Sequence, residues 1–294
     1  MLVSYLLLFL SVSIDTLKNI YYNYFGKNEL QDPKDALLFN VVSCLGSVVF
    51  FLVVGAPFHV SQYSFFLAIL FAIVTVGAQY LSLLAMSLGP MSFSVLFTYL
   101  SMLIPTLFGI VCYSQTISMT QVVGLILMII TFVLSLEFKG SNKISIKWLL
   151  TALGSFVAWG LVGILQQLHQ NSMYKDELDG FLLWTFVFST LIFVLLLLLR
   201  NKSDKQPSSM FETRSILNRA TLFTLLIGVV IGAVNKINLY LSGRMPSIIF
   251  FPIVNGGVII LSGLAAILFF KEKLSQKQFV GLIAGLLATC LLGI

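Results

Sequence analysis

The 294 residues are 59% AVILMFWYC and only 10% Asp, Glu, Lys or Arg, with a mean hydropathy of +1.02, which excludes a water-soluble globular domain. The formal net charge of +6 does not point to nucleic acid, because the basic residues sit in polar breaks beside long apolar runs, the pattern that orients membrane proteins. Apolar stretches of the ~20 residues that cross a bilayer recur from end to end, so the chain reads as an all-α integral membrane protein of ten transmembrane helices.

In chain order the expected spans are 4–24, 36–56, 63–86, 92–112, 119–137, 147–168, 180–200, 217–240, 247–270 and 276–293. The first opens on Met1-Leu2-Val3 with no basic n-region and carries Asp15 and Lys18, so it reads as a retained span and not a cleaved signal. Lys27 to Asp35 is a polar break, Gly89-Pro90 a tight turn, and Arg200 to Arg219 the longest hydrophilic stretch. Cys44, Cys112 and Cys290 lie in apolar surroundings without CxxC spacing or a nearby His, the pattern of small packing residues. No cofactor or metal is expected.

Of the 17 Lys and Arg, only Lys175 and Arg244 fall on the side of the N-terminus and loops two, four, six and eight. The opposite side holds thirteen, from Lys27 and Lys34 through Arg200 to Lys277. By the positive-inside rule both termini lie outside the cytoplasm.

The chain also reads as two five-helix halves, 1–140 and 141–294. Ile117 to Ile126 aligns with Leu274 to Ile283, sharing Ser, Gln, Val, Gly, Leu and Ile in register. Gly89-Pro90 corresponds to Met245-Pro246, and Ser11 and Asp35 correspond to Ser155 and Asp179 at one constant offset. An odd number of spans per half makes the second half enter from the opposite face, an inverted repeat.

Three features carry a resemblance to a known family: the final-helix Gly281-x-x-x-Gly285, the preceding turn Phe269-Phe270-Lys271-Glu272-Lys273-Leu274-Ser275, and Trp159-Gly160 in the sixth span. In them the chain resembles the drug/metabolite transporter superfamily, in its ten-helix EamA-type branch. In the first half Gln115 stands at the Glu272 position and Asp15-Thr16 at that of Trp159-Gly160. The resemblance implies a two-fold pseudo-symmetric bundle around a central cavity, alternating access, and cytoplasmic termini, the last in opposition to the charge count. It also makes Asp15 similar in position to the essential carboxylate of the related four-helix multidrug transporters, which have Glu there.

Ionisable residues at bilayer depth default to functional candidates. Asp15 and Lys18 are three apart on one helix face and able to pair; Asp15 reads either as half of a packing pair or as a proton or ion-coupling residue facing the cavity. Lys236, in Asn235-Lys236-x-Asn238, reads either as a ligand for an anionic substrate group or as a partner of Asp15. The substrate-binding candidates are Lys18, Asn19, Gln79, Tyr80, Tyr99, Trp159, Gln166, Asn235, Lys236, Asn238 and Asn255. Gln166, Gln167 and His169 are expected at the membrane interface, His59 on the solvated surface, and Glu272 as a structural or gate-closing residue.

With no P-loop, the chain reads as a secondary transporter in the cell (plasma or inner) membrane, monomeric or homodimeric. Two deep lysines against one aspartate make the cavity lean positive, which favours an anionic or zwitterionic, amino-acid-like metabolite moved by proton-coupled export. The alternative is a multidrug exporter of lipophilic cations, favoured if Lys18 and Lys236 face away from the cavity; a non-transporting scaffold or receptor is the reading from another class. No nucleophile–base or metal constellation supports an enzyme.

Overall fold

A computed structural model describes residues 2–30, 32–135, 145–203, 219–271 and 276–292. The expected junction of the halves at 140/141, and Glu272 with the turn around it, lie outside these residues. Every regular element described is helical: α1 (Leu2–Asn28), α2 (Pro33–Val53), α3 (Gln62–Leu88), α4 (Met91–Leu100), α5 (Leu103–Tyr113), α6 (Met119–Ser135), α7 (Ile146–Gln170), a 3-10 turn (Lys175–Glu177), α8 (Leu178–Ser203), α9 (Arg219–Ser242), α10 (Ser247–Phe270) and α11 (Gln276–Leu292).

Each expected span is met by a helix, and the fourth is met by two, α4 and α5. Pro105 explains the break, because it has no N–H to return to Ser101 four residues back. The backbone tightens there into three-residue bonds, Met102 N–H to Tyr99 O and Ile104 N–H to Ser101 O. Pro252 stands inside α10 without dividing it.

Seven stretches are long and apolar enough to cross a membrane, among them Phe93–Tyr113 across the α4–α5 break. α6 and α11 hold shorter apolar runs, Met119–Thr131 and Phe279–Ala288. α1 is interrupted by Asp15, Lys18, Asn19 and Asn23, yet its 27 residues exceed the ~20 that a bilayer crossing takes. This is a multi-pass membrane protein.

The helices pack in matched sets. α2 lies against α9 as α8 lies against α3; α3 against α7 as α9 against α1; α1 against α10 as α7 against α4 and α5. α2 with α8, and α6 with α11, complete the bundle. α5 and α10 end alike, on Ser114 (φ 49) and Lys271 (φ 51), the two described non-glycine residues with positive φ. Each caps its helix by donating its N–H five residues back, to Gly109 O and Ala266 O.

The tightest contact joins α2 and α9. A Cβ on Gly228 would stand 2.1 Å from Ser43 O, and one on Gly46 would stand 2.2 Å from Leu225 O. Ser47 Oγ donates to Gly228 O at 2.7 Å across the same contact. Gly232 continues it against Phe50, while Gly285 of α11 packs on Thr131 of α6. The small residues at Gly228, Gly232 and Gly285 thus serve packing within the bundle.

Candidate functional site

Between these helices lies a cavity of about 110 Å³, well above the ~10–15 Å³ that one water occupies. α1 contributes Asp15, Lys18, Asn19 and Tyr22, whose spacing of three, four and seven puts them on one face. α3 adds Gln79, Ser82 and Met86; the broken fourth span adds Thr98, Tyr99, Ser101, Met102 and Pro105. Trp159 and Gln166 of α7, Asn235 and Asn238 of α9, and Phe250, Phe251 and Asn255 of α10 line the rest. The split in the fourth span therefore falls at the cavity wall, where irregular backbone is tolerated in membrane proteins.

Lys18 Nζ donates to Asp15 Oδ1 at 2.5 Å, with side chains only 14% and 6% exposed. The ammonium also lies 5.9 Å from the Tyr99 ring centre and 5.8 Å from that of Trp159, aromatics of α4 and α7. A cation so enclosed is held by a carboxylate and two ring faces at once. Asn19 Nδ2 donates to Tyr99 Oη at 3.2 Å and to Ser262 Oγ at 3.3 Å, which fixes the tyrosine beneath the ammonium.

The walls are tied by two similar hydrogen bonds. Ser11 of α1 donates to Asn238 Oδ1 of α9 at 2.5 Å, and Ser155 of α7 meets Ser82 of α3 at 2.7 Å. Ser11 and Ser155 are the residues matched in the sequence comparison, and Ser82 and Asn238 stand one turn beyond Gln79 and Asn235. Ser82 Oγ also accepts from Trp159 Nε1 at 2.8 Å, and Ser155 meets Thr98 at 3.1 Å. Gln79 Oε1 accepts from the Cys44 thiol at 3.4 Å, and Asn235 Nδ2 donates to Ile231 O at 2.9 Å. Among the described residues the amides of Gln166 and Asn255 have no protein partner, and both face the cavity.

Ten of the twelve sequence candidates meet here; Tyr80 and Lys236 do not. Tyr80 follows Gln79 on α3 and packs against the hydrophobic core. Lys236 Nζ pairs with Asp179 Oδ2 at 2.8 Å, with side chains 33% and 31% exposed, so its partner is not Asp15. Asp179 opens α8, as Asp35 opens α2, where it completes a capping box with Asp32. This corrects the charge expected of the cavity, which holds one lysine and one aspartate, already paired, and does not lean positive. Gln166, Gln167 and His169 are buried and do not meet the interface: Gln167 Nε2 donates to Pro105 O at 2.7 Å, and the His169 ring stacks on Phe181 at 4.1 Å. His59 is exposed in the α2–α3 loop.

The sequence reading missed Tyr22, Ser82, Thr98, Ser101 and Met102. Helical spacing from Asp15 would have found Tyr22, and spacing from Gln79 would have found Ser82. The others flank Tyr99 at the break that Pro105 imposes.

Fold and site together define a multi-pass helical membrane protein with a polar, ion-paired cavity among its helices. A model of the EamA-like transporter family matches residues 146–294, just over half of the chain, and the chain belongs to that family. No curated protein sequence matches it. A solved structure described only as "Crystal structure of protein" has 13% sequence identity and a TM-score of 0.63, and the match covers 98% of this chain and 95% of that one. At that identity the likeness is one of fold.

Proposed function

We propose that the chain is a secondary transporter of the cell membrane that moves a small zwitterionic, amino-acid-like metabolite by alternating access, with Asp15 as the proton-coupling group. The observation that carries this reading is the Asp15–Lys18 pair lining the cavity. A zwitterion brings its own carboxylate and ammonium, and can exchange partners with such a pair without leaving a buried charge uncompensated. An anion alone would leave Asp15 opposed to it, and a lipophilic cation would meet Lys18.

The matched helix pairs and the equivalent caps on Ser114 and Lys271 support treating 1–140 and 141–294 as inverted repeats whose rocking exposes the cavity alternately. In proteoliposomes, uptake of L-leucine driven by a pH gradient should be present with the wild type and lost with Asp15→Asn and with Lys18→Gln. Uptake that survives both substitutions in folded protein contradicts the reading.

A further inference from the structure

We infer that Gln79 and Asn235 read the polarity of the bound solute, one with a donor and the other with an acceptor, and that Cys44 is the positioning residue that sets Gln79. The inference rests on the zwitterion reading above and adds the residues that tell its two ends apart.

Gln79 and Asn235 occupy corresponding places on α3 and α9, each one turn before the residue that ties its helix to α7 or α1, Ser82 and Asn238. Their amides are anchored by opposite ends. Asn235 spends its nitrogen on the Ile231 carbonyl, which only accepts, and so presents Oδ1. Gln79 spends its oxygen on the Cys44 thiol, and so presents Nε2. Both side chains line the cavity, and neither free end has a protein partner among the described residues. A pair that is equivalent in place thus offers unlike chemistry.

Helix register puts each beside the matching member of the ion pair. A Cβ on Gly26 of α1 would stand 3.2 Å from Ser87 Cβ of α3. These two spans run in the same direction, so eight residues earlier on each, Lys18 and Gln79 share a level. Ser11 of α1 meets Asn238 of the antiparallel α9. Four residues on along α1 and three back along α9, Asp15 and Asn235 share another level, to within ~1.5 Å at the α-helical rise. Lys18 and the Gln79 Nε2 form a donor level suited to a carboxylate; Asp15 and the Asn235 Oδ1 form an acceptor level suited to an ammonium. The solute lies with its carboxylate toward the α3–α4 turn and its ammonium toward the N-terminal end of α1.

The test is binding to the purified full-length protein, followed by thermal stabilisation, with three matched probes. L-leucine has both groups, L-leucinamide lacks the carboxylate, and 2-hydroxy-4-methylpentanoate lacks the ammonium. Wild type should favour leucine over both. Gln79→Met should weaken leucine and the hydroxy acid by roughly tenfold while sparing leucinamide, since a hydrogen bond to a charged group is lost. Asn235→Leu should weaken leucine and leucinamide and spare the hydroxy acid. Cys44→Val should follow Gln79→Met with a smaller effect, and Cys44→Ser, which keeps a donor, should restore the wild-type order. That rescue distinguishes positioning from packing and stands even if an apolar variant fails to fold. Equal weakening of all three probes by both substitutions, or unchanged probe ratios, overturns the polarity assignment and leaves the transport reading intact. Failure of all three to stabilise the wild type removes the zwitterion reading and this inference with it.

Discussion

Asp15 and Lys18 share one face of α1 and close on each other at 2.5 Å with side chains 6% and 14% exposed, whereas Asp179 and Lys236 meet across α8 and α9 at 2.8 Å with about a third of each exposed. Both pairs join the same two residue types, and in the sequence all four residues border apolar runs. Their surroundings differ. The first pair is enclosed by two aromatic rings and lines the cavity; the second starts from the first turn of α8 and leaves the cavity untouched. Breaking an enclosed pair leaves a buried charge without its partner, while breaking a partly exposed one costs less. Surroundings, and not composition, set the two pairs apart: one lines the cavity and the other ties two helices together.

The contrast can be broken most severely at the scaffold both pairs depend on. Gly228→Val would drive side-chain carbon into the Ser43 carbonyl and lift α9 from α2, so no folded protein should elute on size exclusion. Next is Lys18→Met, which leaves Asp15 buried and alone; a loss of ~3–5 kcal/mol of stability is expected, read as a lower Tm. Combining it with Asp15→Leu should recover most of that stability and none of the transport, which separates the pair's structural cost from its function. Tyr99→Phe removes one of the two acceptors of Asn19 and should cost ~1 kcal/mol, with weaker binding of the L-leucine probe. The smallest effect is expected of Lys236→Gln, within ~1 kcal/mol of wild type, with transport retained.

The two pairs also mark what was legible in the sequence. Asp15 and Lys18 could be placed together because three residues apart on a helix is a geometric statement. Lys236 could not, since an apolar run on both sides suggests depth; it stands six residues before α9 ends at Ser242, and its partner comes from the helix before. The spans themselves were legible from hydropathy, because every span must satisfy its own backbone in lipid. The break in the fourth span is a consequence of Pro105 that hydropathy smooths over. Most of the site is legible as polar residues inside apolar runs, whereas an aromatic residue in the sequence does not show which way it faces: Tyr22 lines the cavity and Tyr80 does not. The end of α7 misled for the same reason: Gln167 and His169 look like an interface, yet Gln167 holds the Pro105 carbonyl and His169 stacks on Phe181 inside the bundle.

The most direct test of the difference between the pairs is pH-gradient-driven uptake of L-leucine into proteoliposomes, measured side by side for Asp15→Asn and Lys236→Gln after both are shown to be folded. Loss of driven uptake in the first and its retention in the second is the predicted result. Equal loss in both, or uptake that survives Asp15→Asn and fails with Lys236→Gln, would contradict the assignment of transport to the pair inside the cavity.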